Sequence, residues 1–164
     1  MTSDNSEAGS APQLTLQKIY VKDLSFESPH AAALFSKTNS VSPEINMQMS
    51  AESQKISDTL YEIVLNITIT AKEPEQDTNF YLLELKQAGL FTLQNFPQND
   101  LNGMINSFCP NILFPYAREA ISNMVERGGY PQLLLAPINF DALYQHVAKL
   151  QSAAAEEAAS ELKH

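Results

Sequence analysis

Between Thr59 and Ala71 the chain alternates apolar and polar residues almost without a break. Tyr61, Ile63, Leu65, Ile67 and Ile69 fall on one face, and Glu62, Asn66, Thr68 and Thr70 on the other, with Leu60 and Val64 among them. A period of two marks a strand with one face buried. At ~3.3 Å per residue it would run about 40 Å, well beyond the common strand length and close to the diameter of a domain of this size. The sheet built on it must be long and narrow.

Other segments join it. Ile45, Met47, Met49 and Ala51 alternate with Asn46, Gln48, Ser50 and Glu52 as a second strand. Phe80 to Leu93 is another, with a bend or bulge expected at Ala88-Gly89. Leu14 to Glu27 changes its apolar parity near Lys18, which predicts a bulge or a change of surroundings there. All four strands are expected before any helix. Ser28 to Pro43 carries prolines, lacks a period and is too long for a hairpin, so it must cross the sheet or its edge. Glu73 to Thr78 reads as a short polar turn between antiparallel neighbours.

Helical spacing begins with Leu101, Met104, Ile105, Phe108 and Ile112 and resumes with Ala117, Ile121, Met124 and Val125, and Gly128-Gly129 supplies a stop. Pro110 and Pro115 each remove a backbone donor, so this long helix should bend or restart between them. Asn139 is placed to cap a second helix, with Asp141 in its first turn and Leu143, Val147 and Leu150 along one stripe. The expected fold is α+β: a four-stranded antiparallel sheet with a long kinked helix and a shorter C-terminal helix on one face. Two helices cover so long a sheet poorly, which predicts subunits that finish one another's core. Residues 1–13 read as a disordered tail, 14–152 as the folded domain and 153–164 as an Ala- and Glu-rich end that frays.

Composition narrows the function. The formal charge is −9, with ten Lys and Arg in 164 residues. Phosphate binding is driven by such cations, so nucleic acid is a poor partner and a basic protein a better one. The amino-terminal residues lack the charged and apolar regions of a signal peptide, and no apolar run is long enough to span a membrane. With a single cysteine, Cys109, this reads as a soluble cytoplasmic chain without disulfides. No glycine-rich phosphate loop occurs, and His30, His146 and His164 lack metal-ligand spacing, so neither cofactor nor metal is expected. Cys109 before a proline in an apolar helix reads as an inert buried thiol, and the Asn66-Ile-Thr68 sequon inside a strand as chance. Nothing in the sequence supports an enzyme.

Two features remain. Ile45, Met47 and Met49 put adaptable thioether side chains beside the long crossover. Asp23 and Glu27 share one side of the first strand, and Glu84 shares the parity of Leu82.

CPNILFPYARE (Cys109 to Glu119), the Gly-Gly stop, PQL-x-LAP-x-NFDAL and the phrase Ile19-Tyr20-x-Lys22-Asp23-Leu24-Ser25-Phe26-Glu27-x-Pro29 together resemble the SecB protein-export chaperone family, in order from about Leu14 to Leu150. What the resemblance implies is a homotetramer, assembled as a dimer of dimers with long helices between two outer sheets. It further implies an ATP-independent holdase that keeps unfolded precursor proteins translocation-competent and delivers them to the SecA export motor. By matching position, the groove for unfolded polypeptide would be formed by Val41, Ile45, Met47 and Met49, with Phe140, Leu143, Tyr144 and Val147 on a lid helix. Many members carry a tryptophan where Val41 stands, so the resemblance supplies no aromatic residue there. SecA binding would fall to Asp23, Glu27, Leu82 and Glu84, and the tetramer interface to Leu83, Leu85 and Gln87. A non-catalytic adaptor without a client groove is the alternative.

Overall fold

The computed structural model describes residues 10–37, 41–74, 76 and 78–161. Strands β1 (Gln13–Glu27), β2 (Glu44–Lys55), β3 (Leu60–Lys72) and β4 (Asn79–Gln94) form one antiparallel sheet in the order β1-β4-β3-β2. β2, β3 and β4 follow one another as a meander, whereas β1 and β2 are opposite edges. The segment between them therefore crosses the whole sheet, as its length requires. It carries a five-residue helix, α1 (Ala31–Phe35), so the expectation that every strand precedes any helix is corrected. That segment shows no apolar period, and α1 buries no residue, which is why no sequence signal marked it.

The alternating run behaves as its pattern demands. Tyr61, Ile63, Leu65, Ile67, Ile69 and Ala71 are buried on the helix-covered face. The β1 ladder shifts register between Leu16 and Lys18, where parity changes, and again between Val21 and Asp23, a shift the sequence did not announce. Nothing of the kind occurs at Ala88-Gly89, where pairing is unbroken on both sides. Gly89 has another reason. A Cβ there would lie 2.7 Å from Phe91 Cε2 and 2.8 Å from Leu113 Cδ2, so glycine makes room for helix and ring to close on the sheet.

The long helix runs without interruption as α2 (Gln98–Gly103), a π-helical segment (Met104–Phe108) and α3 (Cys109–Arg127). Its irregularity precedes Pro110 and does not lie between the two prolines. The π turn offers a reason, because Cys109 N–H bonds back five residues to Met104 O, widening the turn just where the Pro110 ring would meet a carbonyl. At the other end Tyr130 N–H reaches Val125 O (3.2 Å) and Gly129 N–H reaches Glu126 O (2.9 Å), with Gly129 at φ +85°. This is a Schellman stop, and it fixes Tyr130 immediately beyond the helix.

The core lies between the long helix and β3 and β4, with Leu83, Leu85, Phe114, Ala117, Ile121 and Val125 at its centre. The last helix, α4 (Phe140–Glu161), starts as expected: Asn139 Oδ1 accepts from Ala142 N–H at 3.0 Å. It touches the rest of the chain by its first turn. Phe140 is buried with its ring centroid 5.6 Å from Phe114, and Asp141 accepts a short hydrogen bond from Ser107 in the π turn. Helical backbone continues through residues 153–161; residues 1–9 of the expected tail and 162–164 lie outside those described.

Candidate functional site

Three segments distant in sequence meet around Tyr130. The Schellman stop aims the ring at the start of β4, and its centroid lies 5.0 Å from Tyr81, 6.3 Å from Phe80 and 5.0 Å from Phe35 on α1. Its hydroxyl reaches Phe80 O at 2.9 Å and Ser28 Oγ at 2.5 Å, and Ser28 Oγ also reaches Phe80 O at 2.7 Å. These bonds pin the beginning of the crossover to the sheet. Between this aromatic wall, the end of the crossover and the loop after α3 lies a half-open cavity of about 460 Å³. Val41, Pro43 and Ile45 form one side, and Phe80, Tyr130 and Leu133 the other.

The cavity holds one ion pair. Lys37 Nζ lies 3.1 Å from Glu73 Oε1, tying the crossover to the β3–β4 turn, with the carboxylate almost enclosed and the ammonium half in solvent. The remaining wall is mostly apolar and suits side chains from a partner more than the chemistry of bond breaking. Cys109 lies elsewhere in the core, and burial pushes its thiol up to about 12, so it stays protonated. Among the described residues no three His, Cys, Asp or Glu side chains converge as metal ligands.

Of the groove residues named from sequence, Val41 and Ile45 line the cavity. Met47 and Met49 continue the same face of β2, Met47 exposed and Met49 half-buried against the core. Phe140 lies in the core and anchors α4, its buried ring packed edge-on against Phe114. Leu143 and Val147 are exposed, Tyr144 half-buried, and none of the three lines the cavity. Phe35, Phe80, Tyr81 and Tyr130 were not singled out from sequence. They line the cavity with aromatic side chains drawn from three separate segments, and the one local signal was Tyr130 directly after Gly-Gly.

The other face of the sheet carries the acidic residues. Glu27 pairs with Leu82, Ser25 with Glu84 and Asp23 with Lys86, so alternation brings Asp23, Glu27, Leu82 and Glu84 to one patch, the three carboxylates exposed. Lys86 interrupts it. Beside the patch, Tyr20 reaches across β4, over the small buried Ala88 opposite it, to Glu62 on β3, and Lys22 Nζ binds the same carboxylate at 2.8 Å. The Lys22 and Tyr20 hydrogen bonds hold the Glu62 carboxyl below its usual range, while burial and then Glu62 push Tyr20 up to about 12. Leu83, Leu85 and Gln87 point the opposite way. All three are buried within the single chain, and Gln87 donates to Tyr20 O at 3.0 Å. The chain's own long helix covers this side of β4, so within the single chain these residues pack beneath it.

Comparison with known proteins agrees with this architecture. Residues 7–151 match the family model described as "Preprotein translocase subunit SecB". Curated relatives include "Protein-export protein SecB" of Nitrosococcus oceani, 47% identical over 153 residues covering 93% of this chain and 92% of that one. The protein of the same description from Hahella chejuensis is 44% identical over 162 residues, 99% of each chain. Among solved structures, a SecB-like chaperone of Mycobacterium tuberculosis in complex with an antitoxin peptide superposes with a TM-score of 0.58 at 12% identity, covering 76% of this chain and 90% of that one. That likeness is one of fold.

Proposed function

The chain belongs to the SecB protein-export family, and on that premise we propose that it is a non-catalytic, cytoplasmic chaperone that holds unfolded precursor polypeptides for export. The observation that supports this reading is the half-open aromatic cavity around Tyr130, continued by Ile45, Met47 and Met49 along an exposed strand. A folded protein has no long apolar segment free to enter it. Clients are thus chosen by how slowly they fold, and binding needs no nucleotide. Adaptable methionines and aromatic surface accept varied side chains without a sequence code.

The acidic patch at Asp23, Glu27, Leu82 and Glu84 is the surface we assign to the SecA motor, as a contact with a basic element of that partner. Subunits complete the assembly, a dimer of dimers, by burying surface the single chain leaves open. Phe108 and Tyr116, each about half exposed on the long helix, are the residues such packing would cover. Among the described residues no helix is long and apolar enough to cross a membrane.

The test separates the two surfaces. Replacing both Ile45 and Met47 with Asp should abolish protection of an unfolded protein from aggregation while leaving the oligomer and motor binding unchanged. Charge reversal at Asp23, Glu27 and Glu84 should do the converse, removing a salt-sensitive motor contact and sparing client binding. A variant that kept full holdase activity with two aspartates in the groove would refute the site.

A further inference from the structure

Ile45, Met47 and Met49 share one side of β2, and the surroundings of the outer two fix which side it is. Ile45 lines the Tyr130 cavity, and Met49 packs against the core. Side chains two apart on a strand lie on the same face, so Met47 between them faces the same way. Its cross-strand neighbour Ile69 is completely buried, whereas Met47 itself is 37% exposed. The thioether side chain stands on an apolar stripe and meets solvent.

The other sulfur atoms among the described residues are better shielded. Of the five methionines, Met1 lies outside those residues and Met49 is half-buried, while Met104 and Met124, on the long helix, pack against the two parts of the core. Cys109, the one thiol in the chain, is completely buried. A thioether needs no deprotonation before it reacts, only access for the oxidant, so exposure ranks these sulfurs and puts Met47 first. In the free protein a sulfoxide oxygen on Met47 stays hydrated, and the fold loses nothing. An apolar client segment laid over the same stripe strips that water away and offers no donor in return. The penalty falls on the complex alone.

We propose that Met47 is a redox-sensitive modification site, at which a hydroperoxide weakens client binding without unfolding the chain. This rests on the chaperone reading and adds regulation to it. A sulfur lone pair attacks the terminal peroxide oxygen, the S–O bond forms as the O–O bond breaks, and sulfur is oxidised by two electrons. The proton on that oxygen passes to the departing hydroxide or alkoxide, which leaves as water or alcohol. A dithiol reductant reverses the change, its two thiols becoming a disulfide as the oxygen leaves in water. Leucine in place of Met47 would supply similar apolar contact and none of this chemistry.

The test uses the full chain and hydrogen peroxide, which is removed with catalase before an unfolded client, reduced and carbamidomethylated α-lactalbumin, is added. Peptide mass spectrometry should find the first added oxygen on Met47. Client affinity should fall about tenfold, the effect of one buried polar atom left without a partner, while the urea midpoint stays the same. Methionine sulfoxide reductase with dithiothreitol should restore binding. Each variant is compared with itself before and after peroxide: Met47→Leu should change by less than about twofold, whereas Met124→Leu should lose as much as the unaltered chain. Oxygen appearing first on Met49, Met104 or Met124 would overturn the proposal, as would a loss of affinity that persists in Met47→Leu. Undiminished affinity with Met47 oxidised would also overturn it, yet leave the groove standing if the Ile45, Met47 double aspartate variant fails to protect clients. Full protection by that double variant would instead remove the groove, and the proposal with it.

Discussion

The base of the groove depends on a hydrogen-bond triangle that contains fewer protons than contacts. Ser28 Oγ, Tyr130 OH and Phe80 O lie 2.5–2.9 Å from one another, but the two hydroxyls supply only two protons for three contacts. The Phe80 carbonyl therefore has a donor whichever hydroxyl turns toward it. Ser28→Ala leaves Tyr130 to serve it, and Tyr130→Phe leaves Ser28, so each single change should cost about 1 kcal/mol, the net worth of one hydrogen bond. The double variant strips the last donor from a buried carbonyl, adding a desolvation penalty of about 1–2 kcal/mol beyond the sum. Urea unfolding at fixed protein concentration would read this as a midpoint ~0.5–1 M below the additive expectation, taking a slope of ~2 kcal/mol per M. Strict additivity would show that the carbonyl finds another partner, and the triangle would lose its role in fixing the crossover. Client affinity should fall with the double variant, because the aromatic wall stands on that anchor.

Two further outcomes follow from the sheet. Gly89→Ala should lower stability by about 1–2 kcal/mol despite the better strand propensity of alanine, since its methyl group overlaps the buried Phe91 and Leu113; a raised urea midpoint would contradict that packing. Glu62 titrates below its ordinary range, so its partners stabilise the fold above the unfolded carboxyl value of 4.5, and that contribution fades as the pH drops through the lower folded value. Glu62→Gln should flatten stability against pH in this acid window, and an unchanged profile would exclude Glu62 from acid sensitivity.

Residues far apart in legibility make up this molecule. The faces of β2 and β3, the helix stop at Gly128-Gly129 and the Asn139 cap were readable because each depends on neighbours within a few positions: side chains alternate along a strand, and a terminal turn needs its own cap. The acidic patch was readable too, once parity put Asp23 and Glu27 on one side and Leu82 and Glu84 on another that register could match. Gly89 misled, because a glycine in a strand signals either a bulge or a close neighbour, and Phe91 and Leu113 are what decide between them. For Leu83, Leu85 and Gln87 parity says which way each residue points, and only packing shows that the chain's own helix lies over them.

The chain's own order of residues determined the long antiparallel strands, their inner and outer faces, the long helix and the family. Local periodicity carries each of these, and motif spacing carries the last. The cavity belongs to tertiary structure. Leu34 and Phe35, Val41 to Ile45, Phe80 and Tyr81, and Tyr130 to Leu133 become neighbours only because the crossover joins opposite edges of the sheet, and no repeat along the chain encodes that. The same long-range packing anchors α4 through Phe140 and Asp141 and leaves β2 as an edge of the sheet, since whether a surface is covered depends on contacts between segments that share no local pattern.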